Sequence, residues 1–228
     1  MQQSESSILQ RAVLWDLDGT LIDTRQAHWL AWHETMASEG FDLTWETFAH
    51  IFGQRNDTTL RKWLGPDLPD SEIERIGETK ERLYRQILPD QPPEMLPGVE
   101  NWLHWLHASG WRQALATMTP LDNMKTIFAT VKTSTGSSFK DFLDAVVTGD
   151  EVLHGKPDPE IFLLAARRLH VPPERCVVIE DSSAGIQAAR RAGMRSIAVG
   201  PHPCNDADLS VSSLAELAPR AVEGFSIS

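Results

Sequence analysis

The stretch Ala12-Val13-Leu14-Trp15-Asp16-Leu17-Asp18-Gly19-Thr20 decides how this chain is read. Its first residues are apolar and β-friendly, which predicts a short buried strand. Asp18-Gly19-Thr20 ends that strand with turn chemistry. On an extended chain Asp16 and Asp18 lie two residues apart and project to the same side. The strand therefore delivers a pair of carboxylates to its C-terminal end.

The next segment is helical in pattern. Residues 24 to about 89 contain no convincing strand, and helices are expected near 25–38, 44–51, 57–63 and 70–87. Trp29, Trp32 and Met36 fall at helical spacing in the first of them. Prolines 89, 92, 93 and 97 cannot continue a helix, so 88–98 reads as a linker. Beyond Gly98 strands and helices alternate. Strands are expected at 113–117, 145–147, 176–179 and 196–199, and helices near 98–109, 121–130, 158–170 and 183–192. Residues 133–138 read as a polar surface loop. Such alternation predicts an α/β fold, a parallel sheet with helices on both faces. The first strand stands apart from the others. The core is therefore expected to comprise 1–23 and 97–228, split by an inserted helical cap at 24–96.

Composition narrows the partners. There are 21 Lys and Arg against 32 Asp and Glu, a formal net charge of −11. That argues against nucleic acid or an anionic membrane as partner. An anionic substrate stays open, because a metal and a few local cations can reverse the field within one cleft. No apolar run approaches the roughly 18 residues of a membrane span. The N-terminal MQQSESSILQR lacks the basic-then-apolar plan of a signal peptide. The two cysteines make neither a disulfide framework nor a zinc site. A cytoplasmic protein is expected.

Polar stations fall at or just past the C-terminal ends of the predicted strands: Asp16 and Asp18, Thr117, Lys156, and Glu180-Asp181. In open α/β sheets ligands bind at that edge. Acids without a nearby His or Cys suit a hard, oxygen-loving cation, Mg²⁺ above all. An Asp nucleophile is ionised at neutral pH and needs no base to activate it. Its difficulty is repulsion: a carboxylate about 4 Å from a phosphate is opposed by roughly 4 kcal/mol per unit charge at an effective dielectric near 20. Mg²⁺ and Lys156 are the groups able to cancel that. Asp18 would protonate the leaving oxygen and then act as base on water. The Thr117 hydroxyl would orient a phosphate oxygen. Taken singly, Lys156 reads as a solvated loop lysine and Thr117 as an ordinary strand threonine; together they read as a site.

Asp16-Leu17-Asp18-Gly19-Thr20, Thr117, Gly155-Lys156-Pro157-Asp158-Pro159 and Ile179-Glu180-Asp181-Ser182-Ser183-Ala184-Gly185 resemble, in order, the four motifs of the haloacid-dehalogenase superfamily. The resemblance implies a Rossmann-like core with a helical cap and a phospho-aspartyl intermediate at Asp16. It also implies Mg²⁺ held by Asp16, Asp181 and the backbone carbonyl of Asp18, with Glu180 acting on it directly or through water. Asp18 separates the chain from the dehalogenases and from phosphonate hydrolases. The cap lysines Lys62 and Lys80 sit in amphipathic patterns and are expected on a solvated face.

The cap resembles a subgroup of β-phosphoglucomutases and sugar-phosphate phosphatases through Asp23-Thr24-Arg25-Gln26-Ala27-His28 and Gly53-Gln54-Arg55-Asn56-Asp57. The match implies that His28 and Arg55 reach the crevice on cap closure; packing between cap helices is the alternative for His28, and is preferred for Trp32. After the second motif strand the chain reads Thr117-Met118-Thr119-Pro120-Leu121. Thr119 fits the mutase pattern, but Pro120 stands where a mutase carries a lysine for its second phosphate, and Met118 is bulkier than usual near the substrate. A phosphatase acting on a small phosphorylated metabolite, a sugar phosphate first, is therefore expected. A hexose phosphate mutase and a non-catalytic phosphosugar-binding module are the alternatives.

Overall fold

The computed structural model describes residues 10–201 and 204–225. Most of the polar N-terminal stretch, and the last residues assigned to the core, lie outside the described residues. The elements are β1 (Ala12–Trp15), α1 (Arg25–Ser38), α2 (Trp45–Ala49), α3 (Asn56–Leu64), α4 (Asp70–Ile87), α5 (Val99–Ala108), β2 (Arg112–Ala116), α6 (Leu121–Thr130), β3 (Ala145–Val147), α7 (Glu160–Leu169), β4 (Cys176–Glu180), α8 (Ser183–Arg191), β5 (Arg195–Val199) and β6 (Leu209–Val211).

The sheet is parallel, in the order β3-β2-β1-β4-β5-β6. This is the Rossmann-like order, in which direction reverses beside the first strand and opens a crevice there. β1 is central, with Ala12 opposite both Arg112 and Cys176. Both faces are covered, so its residues are apolar throughout. Val13 and Trp15 join one core with Trp102, Leu115 and Ile179; Ala12 and Leu14 join the other with Phe162, Ala165 and Val178. Cys176 is buried in β4, as expected.

The helices α1–α4 are an insertion after β1 with a core of their own, built from Trp32, Met36, Leu43, Phe48, Leu60, Ile73 and Ile76. Chain enters and leaves this cap side by side. Asp23 N–H donates to Glu94 O at 3.0 Å, and Leu96 N–H to Leu21 O at 3.0 Å. The helices match the sequence expectation within a few residues, and no helix or strand interrupts 88–98. One strand was not expected. β6 has three residues, none fully buried, and Leu-Ser-Val in a polar stretch gives no period to read.

The buried Gln113 of β2 is paired at both ends of its amide. The Gln113 carbonyl accepts from Trp15 Nε1 at 3.1 Å, and its amide donates to Leu103 O at 3.1 Å. Gln113→Leu leaves the Trp15 Nε1–H buried without a partner, and is expected to cost about 1–3 kcal/mol. Urea unfolding checks this; an unchanged midpoint would remove the pairing from the account of the core.

Candidate active site

β1 and β4 are neighbours, so their ends bring Asp16 and Glu180-Asp181 together. Lys156 arrives from the loop before α7. Its Nζ lies 2.5 Å from Asp16 Oδ1 and 2.8 Å from Glu180 Oε1, with the side chain 6% exposed. Glu180 Oε2 accepts from the Ser182 N–H at 2.6 Å. Ser182 in turn caps α8, its hydroxyl accepting from Gly185 N at 3.0 Å. Asp16, Glu180 and Asp181 each offer an oxygen within 4.8 Å of the others'.

Two glycines make the approach feasible. Gly19 has φ +85°, and a Cβ there would stand 2.2 Å from Asp181 Oδ2. A Cβ at Gly185 would stand 2.0 Å from Glu180 Oε1. Neither position has room for alanine.

The charges are out of balance. Burial raises Asp16 well above the usual carboxylate range, and Glu180, Asp181 and Asp18 add to this while Lys156 opposes it. Burial and then Glu180 push Asp181 up to about 8, against Lys156. Burial opposes the Lys156 charge, but Asp16 and Glu180 hold that ammonium well above its ordinary value. Lys156 thus faces three carboxylates, with Arg25 adding only a small further effect on Asp181, and the pocket favours further positive charge.

Asp18 does not share those partners, although an extended chain would point it the same way as Asp16. The chain turns at once: Thr20 and Leu21 N–H both donate to Leu17 O, at 3.2 and 2.9 Å. Asp18 instead accepts from Thr24 Oγ1 at 2.5 Å and Thr119 Oγ1 at 2.6 Å, with His28 Nε2 at 3.6 Å. Burial alone would raise it, but His28, Thr119 and Thr24 hold it at about 2. Thr117 is buried at the end of β2, where its hydroxyl accepts from Thr119 N at 3.1 Å. A cleft of about 1050 Å³ lies above, lined by Asp18, His28, Arg55, Lys80, Met118 and Thr119 among others.

The model of the haloacid dehalogenase-like hydrolases matches residues 10–193. The chain belongs to this family. It is an enzyme of the family's phosphatase kind. The protein CbbY of Rhodobacter capsulatus is 33% identical over 82% of this chain and 84% of its own. A phosphorylated carbohydrates phosphatase of Thermotoga maritima is 32% identical over 86% and 87%. The crystal structure of β-phosphoglucomutase from Clostridium difficile superposes with a TM-score of 0.82, at 27% identity over 95% of this chain and 96% of that one.

In this hydrolase the cap contributes a second wall. His28 stacks on Tyr84 with ring centroids 4.1 Å apart. Burial and then Lys80 lower its pKa. Trp32 is buried in the cap core, as expected. Arg55 is exposed, pairs with Asp57 at 3.4 Å, and lays its stem against Gly155, which the end of Met118 also approaches. Lys62 is exposed as expected, but Lys80 is not. It is 2% exposed, with Nζ 2.9 Å from Glu81 Oε1 and about as close to the Trp32 ring as to the Tyr84 ring, 5.3 and 5.2 Å from their centroids. An amphipathic pattern places a lysine at the edge of the apolar stripe, and here α1 packs over that edge. The buried Glu81 was likewise missed, since nothing local marks it.

Burial alone would raise Glu81, but Lys80, His28 and the Lys80 and Asn56 hydrogen bonds bring it from the ordinary 4.5 to about 2. A carboxyl depressed in the folded state stabilises it fully above its unfolded value and loses that contribution as pH falls through the folded one. The melting temperature of wild type is therefore expected to drop more steeply between pH 4.5 and 2 than that of Glu81→Gln. Parallel curves would mean that the Glu81 charge does not help hold the cap.

Proposed function

We propose that this protein is a Mg²⁺-dependent phosphomonoester hydrolase acting on a small phosphorylated metabolite, a sugar phosphate first, through a phosphorylated Asp16. The observation that carries the proposal is the set of carboxylates, Asp16 and Glu180 buried and Asp181 partly so, with Lys156 as the cation between Asp16 and Glu180. The donor set is all hard oxygen and short of positive charge, which fits Mg²⁺. Asp16, Asp181 and the Asp18 backbone carbonyl would hold it, with Glu180 directly or through water. When bound, the ion supplies charge that offsets repulsion between Asp16 and the phosphate.

The chain's own groups account for the rest. Lys156 orients the Asp16 carboxylate and neutralises part of the incoming charge. Asp16 Oδ attacks phosphorus, the bond to the ester oxygen breaks, and the leaving alkoxide takes a proton from Asp18. The phosphate's negative charge beside Asp18 favours the protonated form needed for that step. Water then attacks the acyl phosphate and gives its proton to Asp18. The Asp16–phosphorus bond breaks and inorganic phosphate leaves. The Thr117 hydroxyl orients a phosphate oxygen. His28, Arg55, Met118 and Thr119 line the space for the alcohol portion, and the cap shuts out bulk water. The paired chains at 21–23 and 94–96 are the candidate hinge.

Phosphatase is favoured over mutase because Pro120, at the start of α6 on the cleft, supplies no cation for a second phosphate. The test is phosphate release from a panel of sugar phosphates with Mg²⁺ and with EDTA. Release is expected with Mg²⁺ and lost with EDTA, and Asp16→Asn is expected to lower it about 10³-fold or more. Conversion of a hexose 1-phosphate to the 6-phosphate without net release would make the protein a mutase. Unaltered release by Asp16→Asn would remove the nucleophile.

A further inference from the structure

One buried carboxylate in the cap binds three partners, its neighbour in α4 and two on other pieces of chain. Glu81 Oε1 accepts from Lys80 Nζ at 2.9 Å and from Asn56 Nδ2 at 2.7 Å. Its Oε2 accepts from Asn123 Nδ2 at 2.5 Å. Asn123 is 0% exposed and belongs to α6 of the core, whereas Glu81 belongs to α4 of the cap. The other atom of the same amide is also taken by the cap: Asn123 Oδ1 accepts from Arg85 at 2.9 Å. Glu81 and Arg85 are one helical turn apart, so they grip the Asn123 amide from both sides.

Each contact positions something the cleft uses. Lys80 lines the cleft. Asn56 is the first residue of α3, and its hold on Glu81 sets where Arg55 emerges just before it. On the core side α6 starts directly after Thr117-Met118-Thr119, the loop that holds Asp18. We infer that Glu81 and Asn123 are positioning residues, a cap-to-core latch that presents Lys80 and Arg55 to the part of the substrate beyond its phosphate. The inference rests on the phosphatase reading only for its choice of substrates.

The latch has a polarity that can be reversed. Asn123→Asp keeps the acceptor for Arg85 but sets a carboxylate against Glu81. Adding Glu81→Gln supplies a donor to that carboxylate and restores the grip. For a hexose phosphate, N123D is expected to raise KM about tenfold or more, the loss of one charge-assisted hydrogen bond. For acetyl phosphate, too small to reach the cap and with an acetate leaving group that needs no proton from Asp18, kcat/KM is expected to stay within about threefold. E81Q/N123D is expected to bring the hexose phosphate KM back toward wild type. Small-angle scattering should show N123D more extended than wild type or the double variant. Equal effects on both substrates, or a folded double variant no better than N123D, would overturn the latch. Should N123D not fold, Asn123→Ser removes both amide contacts without adding charge and carries the same comparison. If wild type hydrolyses no phosphomonoester, the phosphatase reading fails on its own. Scattering then decides the latch, with indistinguishable profiles overturning it.

Discussion

Three carboxylates crowd around a single ammonium, two of them buried, and much of the architecture serves to keep them there. Separated in water these groups would be solvated and apart. Brought together, each pays for desolvation and for its neighbours' charge. The sheet resists their separation because Asp16 and Glu180-Asp181 extend from paired central strands. The Asp16 amide itself donates to Ile179 O at 3.0 Å. Gly19 and Gly185 remove the Cβ atoms that would block the approach. Ser182 gives its backbone N–H to Glu180 and its hydroxyl to the cap of α8, so one residue serves both the acid and the helix. The result is a site whose unmet demand is for positive charge, which is the demand a phosphate-transfer centre must make.

That organisation was largely legible in the sequence, because the residues carrying it lie at strand ends. A buried strand has an unmistakable apolar run, and Asp16-Leu17-Asp18-Gly19-Thr20 breaks such a run with acids and a turn. The same holds for Glu180-Asp181 after Cys176–Ile179. The cap was legible as helices but not as a polar interior. Lys80 reads as a solvated charge because α4 is amphipathic, and nothing local marks Glu81; the facts that bury them are the packing of α1 over Lys80 and the arrival of Asn123 from α6, 42 residues along the chain. Long-range pairing of this kind leaves no local period. β6 was missed for a related reason: its place in the sheet comes from β5 alongside it, not from its own three residues.

Asp18 shows how the two layers meet. Its carboxylate is bound by Thr24, where the chain enters the cap, and by Thr119, from the loop after β2. His28, from the first cap helix, stands at 3.6 Å. These are three separate segments, and only Thr119 belongs wholly to the core. A displacement of the cap that carried His28 and Thr24 away would leave Asp18 with fewer donors, still surrounded by acids and partly buried. Desolvation and like charge would then act with less opposition, and its pKa would rise. The affinity of this carboxylate for a proton is therefore tied to where the cap stands. In the proposed mechanism, the cap as it stands here would hold Asp18 as the carboxylate that takes a proton from water, and a phosphate beside it would push the other way. On that reading one group would serve as acid and as base because geometry on one side and substrate charge on the other pull its proton affinity in opposite directions.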